Sequence, residues 1–295
     1  MIKFFDLYKQ DKIHHDKIIS KIKKILNKTD YILGNEVKIF ENNFAKFVGA
    51  KYAIGCGNGT DALTIALKSL NLPNNAEVII PAMTYCSTAF AIINCGLKPV
   101  LVDIGNNSSS IDVNKIEKKI TSNTKVIMPV HLYGSTSDLK SIKKIINKTK
   151  KKIYLIDDCS QAHGALDESD NLKRKIGTTS DISCFSLYPG KNLGAFGDAG
   201  IITTNNKKIY QLIKKLRNLG SDKKFIHDYV GFNSRLDTIQ AAILNIKLKS
   251  LNKLNKKRKI IAKKYDDHIM NKNITKIFYT KNCVYHQYVI SVKNR

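Results

Sequence analysis

Lys191 stands in the run Leu187-Tyr188-Pro189-Gly190-Lys191-Asn192-Leu193-Gly194-Ala195-Phe196-Gly197-Asp198-Ala199-Gly200, a loop in which proline and four glycines exclude a regular helix. It comes after Ile182-Ser183-Cys184-Phe185-Ser186, a short apolar run with interspersed serines that reads as a buried strand. A lysine held at a strand end by such a loop is placed as an amine nucleophile should be: fixed, partly desolvated and able to condense with a carbonyl. On residue type alone the reading as a solvated lysine, one of 50 Lys and Arg in the chain, would win. The groups just beyond the other strand-like runs give it weight: Tyr85, His131, the pair Asp157-Asp158, Gln161 and His163.

Those groups need a scaffold that brings strand ends together. Val78–Ile80, Val100–Val102, Val126–Val130, Ile153–Ile156, Ile182–Phe185 and Ile201–Thr203 read as strands with helical stretches between them, which predicts an α/β fold around a largely parallel sheet. Ligands of such sheets bind beyond the carboxyl ends of the strands, so one crevice would collect the aromatic, the carboxylate pair, Gln161, both histidines and Lys191. Tyr52-Ala53-Ile54-Gly55-Cys56-Gly57-Asn58-Gly59-Thr60-Asp61 reads as a strand, a glycine-rich turn and a helix start. That helix end suits a phosphate or is an ordinary capped turn. It is neither a dinucleotide fingerprint nor a Walker loop. Individually, Tyr85 could be a core aromatic, Asp157 or Asp158 a helix cap, and the histidines structural. Together, a lysine amine, an aspartate for a pyridinium nitrogen and a phosphate-accepting helix end describe a pyridoxal phosphate site. No metal is expected, because no metal-ligand spacing is present.

Upstream, Ile13, Ile18, Ile22, Ile25 and Leu26 mark one apolar face of a helix over residues 13–28, and Val37, Phe40, Phe44 and Phe47 mark a second ending at Gly49. At 295 residues the chain can bury a large core. No apolar run reaches membrane-spanning length, and Met1-Ile2-Lys3-Phe4-Phe5-Asp6 lacks the apolar core of a signal peptide, so a cytoplasmic protein without a membrane partner is expected. Six cysteines without a C-x-x-C pair read as reduced thiols. The net charge of +26 would attract nucleic acid, yet the lysines are spread along the whole chain with no aromatic-studded sheet motif or Cys/His finger, which counts against a nucleic-acid partner.

In Gly34–Gly49, Ala53–Leu63, Glu77–Thr88, Pro129–Gly134, Ile156–Ala165, Cys184–Gly200 and Gly231–Leu248, in that order, the chain resembles the DegT/StrS family of pyridoxal-phosphate sugar aminotransferases. The resemblance implies the aspartate-aminotransferase (type I) fold: a mostly parallel central sheet with flanking helices. It divides the chain into a large cofactor-binding domain, 1–250, and, over 251–295, a linking helix with the start of an incomplete small C-terminal domain. Relatives continue beyond the strand that His286–Arg295 resembles. A single helix from about Ser234 to Tyr265, with Leu236, Ile239, Ile243 and Ile246 on one face, would bridge the two domains.

Position by position, the resemblance implies that Lys191 carries the cofactor and moves the proton, and that Asp158 keeps the pyridine nitrogen protonated. Gln161 would lie near the phenolic oxygen, Tyr85 on the ring face, and Gly59, Thr60 and Ser186 around the phosphate. Asn233 would reach the phosphate of a neighbouring subunit, giving a homodimer with shared sites. Relatives with His in place of the lysine are dehydratases, so Lys191 argues for amino transfer. The implied reaction is transamination of a nucleotide-linked keto sugar with glutamate as donor, for amino-sugar and surface-polysaccharide synthesis; the wording is nearest to enzymes acting on a dTDP-linked 3-keto-6-deoxyhexose, with amination at C4 or of a UDP-sugar also open. The alternative is a catalytically silent or regulatory protein on the same fold.

Overall fold

A computed structural model describes residues 6–167, 174–223 and 225–293. The leader expectation at Met1–Phe5 and the last two residues of the C-terminal strand expectation lie outside them. Two short N-terminal helices, α1 (Leu7–Asp11) and α2 (His15–Lys28), precede α3 (Asn35–Val48). The 13–28 pattern overextends the apolar face. Ile18 and Ile25 are buried, whereas Ile13 and Leu26 are exposed, because helix α2 begins only at His15 and presents a narrower stripe. Helix α3 buries Val37, Phe40 and Phe44 and stops at Gly49, whose φ of 87° is the left-handed cap that glycine adopts without strain.

The chain then alternates: β1 (Tyr52–Cys56), α4 (Gly59–Lys68), β2 (Glu77–Pro81), α5 (Cys86–Asn94), β3 (Lys98–Val102), α6 (Val113–Ile116), β4 (Thr124–Ile127), α7 (Leu139–Lys148), β5 (Tyr154–Asp158), β6 (Ile182–Ser186), β7 (Gly200–Thr204) and α8 (Lys207–Leu216). Helices α9 (Thr238–Leu248) and α10 (Leu251–His268) and a two-stranded hairpin of β8 (Ile274–Lys276) and β9 (Ile290–Val292) complete it. The main sheet has seven strands in the order β1-β7-β6-β5-β4-β2-β3. Its inner pairs are parallel, and β7 runs antiparallel to both β1 and β6. The expected α/β fold with a mostly parallel sheet is therefore present. Strand β4 is shorter than the apolar run: it ends at Ile127, and beyond it only single backbone bonds continue the pairing, Met128 N–H to Ile79 and Asp158 N–H to Pro129, whose own missing N–H breaks the ladder before the isolated Val130–Asp158 bridge.

Side chains alternate across this sheet with period two. Ala53, Ile79, Ile127, Leu155, Phe185 and Ile201 pack with Phe40, Phe44, Ala241, Leu244 and Leu251 on one face. Ile54, Val78, Ile80, Val126, Ile156, Cys184 and Ile202 pack with Leu63, Ile65, Leu67, Ala91 and Ile92 of α4 and α5 on the other. Adjacent residues of one strand thus serve different faces. The single bridging helix is replaced by two, α9 and α10, interrupted at Lys249–Ser250. Ala241, Leu244, Leu248 and Leu251 form the core side, while Ile239 and Ile246 are only partly buried, because the break re-aims the apolar stripe. Among the described residues no helix is long and apolar enough to cross a membrane.

Candidate active site

Strand parity decides which of the two adjacent acids can serve a ligand. Asp157 shares the face of Leu155 and Phe185, where Ser180 Oγ donates to its Oδ1 (2.6 Å) and Ser183 Oγ to its Oδ2 (3.3 Å). His131 Nε2 stands 3.7 Å from the same carboxylate, and both side chains are fully buried. With Cys159 they form a cluster whose possible ligand atoms lie within 4.8 Å of one another. Burial first, then the charges of Asp157 and Asp158, push the Cys159 thiol well up, so it stays protonated. The Asp157 oxygens already accept from two hydroxyls. His131 is therefore beside Asp157 rather than in the crevice that Lys191 occupies.

Asp158 points the other way, toward α4 and α5. It is 5% exposed and accepts from Thr88 Oγ1 of α5 (2.9 Å) and from the Ser160 N–H (3.1 Å). A carboxylate with two acceptor oxygens has capacity left for a cationic N–H. Thr84 stands behind it, 2.8 Å from Thr88 between hydroxyl oxygens. Thr88 was not singled out from sequence; the signal available was a threonine in the first turn of a helix after the strand that ends at Pro81.

Lys191 lies beyond the end of β6, its loop closed by the Leu187 N–H to the Ala199 carbonyl (2.7 Å) and the Ala195 N–H to the Leu187 carbonyl (2.8 Å). Burial pushes its ammonium below the usual lysine value, and attraction to Asp158 partly offsets this. That is the state of an amine suited to nucleophilic work.

The third component is the start of α4. Asn58 caps it, accepting from the Asp61 N–H at 2.8 Å. The first-turn N–H groups of Gly59 and Thr60 have no carbonyl four residues earlier to bond within the helix. Ser186 is at the end of β6, on the same sheet face as Asp158. A Cβ built on Gly59 would come within 2.6 Å of Ser186 Cβ, so only glycine lets the helix end approach that serine. Thr60 Oγ1 donates to Ser87 Oγ at 2.9 Å. Gly59, Thr60 and Ser186 thus lie together at a helix N-terminus, a polar cradle whose chemistry suits a phosphate.

Gln161 is turned so that its Oε1 accepts from the Tyr133 N–H (2.6 Å), which leaves its NH2 as donors. Tyr133 itself sits at φ 59°, a left-handed conformation held by this bond. Tyr85 precedes α5 and is 68% exposed, an open ring at the rim. Asn233 is exposed and bridges to Asn218, and the next residue, Ser234, accepts from the Gly57 N–H and donates to Asp61 at the start of α4.

His163 is fully buried against Phe185, with ring centroids 5.5 Å apart, and its ring nitrogens make no well-aligned hydrogen bond among the described residues, only a looser approach to the Ser186 backbone. Burial, and secondarily the Lys191 charge, lower its pKa to about 3. A histidine kept neutral in the fold but not in the unfolded chain binds its proton only on unfolding. The protein therefore loses stability as pH falls from about 6.5 toward about 3, at about 1.4 kcal/mol per pH unit for this one group. His163→Gln is expected to reduce that slope by one proton in urea titrations across the range; an unchanged slope would reject the assignment.

The residues present fit pyridoxal phosphate: a desolvated amine, a buried carboxylate on the same sheet face, and a helix-end cradle beside a serine. Over residues 12–295 the sequence matches the model of the DegT/DnrJ/EryC1/StrS aminotransferase family. The chain belongs to that family. DegT/DnrJ/EryC1/StrS aminotransferases depend on pyridoxal phosphate. The dTDP-3-amino-3,6-dideoxy-alpha-D-galactopyranose transaminase of Aneurinibacillus thermoaerophilus is 44% identical over all of this chain and 80% of its own length. The UDP-2-acetamido-2-deoxy-3-oxo-D-glucuronate aminotransferase of Pseudomonas aeruginosa is 40% identical over all of this chain and 81% of its own. Among solved structures, S. venezuelae DesV in complex with a ketimine intermediate superposes with a TM-score of 0.95 at 33% identity, covering all of this chain and 78% of that one. These family neighbours bear out the expected fold type as well as its layout. As a family member, the protein is an aminotransferase acting in nucleotide-sugar chemistry.

Proposed function

We propose that the chain transfers an amino group from glutamate to a dTDP-linked 3-keto-6-deoxyhexose, making an amino sugar for surface polysaccharide. The observation that carries the amino-transfer reading is the convergence of Lys191, Asp158 and the Gly59–Ser186 cradle at one end of the sheet. When bound, the cofactor supplies an electron sink for negative charge at the reacting carbon. Lys191 holds it and moves the proton between that carbon and the cofactor. Asp158, fixed by Thr88 and Ser160, keeps the pyridine nitrogen protonated through a charge-assisted hydrogen bond. Gly59, Thr60 and Ser186 anchor the phosphate, Gln161 donates to the phenolic oxygen, and Tyr85 covers one ring face.

Asn233 reaches the phosphate in the neighbouring subunit of a homodimer; its exposure supports this role. The division into residues 1–250 and 251–295 fits the interruption between α9 and α10.

The sugar reading is supported by the dTDP-sugar relative at 44% identity. A UDP-linked 3-keto sugar is the second reading, favoured by the P. aeruginosa relative, which matches over the whole chain at 40%. A panel of dTDP- and UDP-linked 3- and 4-keto sugars, incubated with the cofactor-loaded protein and glutamate and followed by product mass, separates them. The expected result is a keto-to-amine mass change with the dTDP-linked 3-keto sugar at the highest kcat/KM. Preference for a UDP sugar would replace the first reading by the second, and no conversion of any sugar would favour a catalytically silent protein.

A further inference from the structure

Asn192, next to Lys191, is 3% exposed, and its amide is fully engaged. Nδ2 donates to Asn255 Oδ1 of α10 (2.9 Å) and to the Val284 carbonyl (3.1 Å), and Oδ1 faces His286 Nδ1 at 3.1 Å. Asn255 passes the connection on, its Nδ2 donating to the His163 carbonyl at 2.8 Å. A single side chain therefore joins the lysine loop, the long helix α10, the turn after Asp158, and the 283–286 segment. That segment is pinned on its other side by backbone bonds, the Val284 N–H to Gly134 (3.1 Å) and the His286 N–H to Tyr133 (2.9 Å). Tyr133 in turn donates to Gln161.

The orientation of this amide is fixed by chemistry. Two carbonyl oxygens face Nδ2, so Oδ1 must be the atom that meets His286. An amide oxygen can only accept, so the bond exists only when His286 carries its proton on Nδ1, leaving Nε2 as a bare acceptor. Burial, followed by the charges of Lys191 and Arg258, lowers the His286 pKa to about 3. The ring is therefore neutral at ordinary pH and keeps this tautomer.

We propose that Asn192 is a positioning residue that docks the 283–286 segment against the lysine loop and fixes the tautomer of His286, so that the desolvation of Lys191 depends on that docking. The inference rests on Lys191 being the cofactor-carrying amine. The groups facing that amine are Asp158 from β5, His163 from the turn beyond β5 and His286 from the C-terminal segment. Those facing His286 are Lys191, His163 and Arg258 of α10. Removing Asn192 frees three bonds at once, lets water reach the lysine, and moves its pKa back toward the ordinary value.

The test uses the 295-residue chain, wild type, Asn192→Ala and His286→Phe, the last keeping the ring bulk while losing the bond to Asn192. Trace acetylation of the cofactor-free protein across pH, read by peptide mass, gives the titration midpoint of Lys191. Amide hydrogen exchange reads the Val284 and His286 N–H groups. In Asn192→Ala the midpoint is expected to rise by about one pH unit. Exchange at both amides is expected to quicken about tenfold or more, the size of a lost buried hydrogen bond. His286→Phe should move both in the same direction by less.

An unmoved midpoint, or unchanged exchange, in either variant would overturn the proposal. If Asn192→Ala does not fold, His286→Phe alone decides. The underlying reading is judged separately, by borohydride trapping of the cofactor on the wild-type chain and location of the adduct by mass. An adduct elsewhere than Lys191 would remove that reading without touching the exchange result.

Discussion

Lys191→Ala is expected to lower kcat by about 10⁴-fold or more, since on the proposed roles it removes both the covalent anchor and the group that moves the proton. Other lysines cannot substitute: the amine is held in a closed loop, beside a buried acid, with its pKa depressed chiefly by burial. Reduction with borohydride followed by intact-mass measurement checks the anchor independently of turnover. Wild type should retain the cofactor mass after denaturation and Lys191→Ala should not. Retention of the adduct in the variant, or loss of kcat by less than about tenfold, would show that another group carries the cofactor.

Asp158→Asn comes second, with an expected fall in kcat of about 10³-fold, equivalent to about 4 kcal/mol of transition-state stabilisation. The amide oxygen can still accept from the Ser160 N–H while its NH2 donates to the Thr88 hydroxyl, which can turn to accept, so the local geometry survives and the change isolates the charge. Without a carboxylate the pyridine nitrogen has no reason to hold its proton, and the cofactor loses its capacity as an electron sink. The variant should also lower the Lys191 pKa further, because Asp158 is what partly offsets the burial of the ammonium. Steady-state kcat and the pH dependence of Lys191 acetylation measure the two effects; a variant with near wild-type kcat would place the pyridine nitrogen elsewhere. Asp157→Asn, on the opposite face, supplies the contrast, and its effect should fall on folding stability rather than on kcat.

Much of this was legible in the linear sequence, and for a physical reason. The sheet strands are short apolar runs between turn residues, and the residues just past each run sit at the carboxyl end where ligands bind. Lys191, Asp158, Gln161 and the Gly59 turn were all reached that way. Information carried by distant partners stayed hidden. Thr88 matters through a bond to Asp158 across 70 residues, and Asn192 through one to Val284 across 92. Neither residue type advertises such a role. His131 came after a strand-like run as the other candidates did, yet its side chain meets Asp157, on the wrong side of the sheet. The break between α9 and α10 has no proline or glycine to announce it; Leu248 and Leu251 both reach the core, and tertiary packing sets the interruption.

The reversed direction of β7 has a consequence for turnover. Because β6 and β7 are antiparallel neighbours, with Ser186 opposite Gly200, the segment bearing Lys191 departs from and returns to the same edge of the molecule. A side chain on so short a tether cannot diffuse away when it releases its partner. Its effective concentration stays far above anything a free amine reaches in solution; well-oriented intramolecular reactions reach effective molarities of about 10⁵ M or more. On the role proposed for Lys191, recapture would thereby be favoured by the way one strand runs.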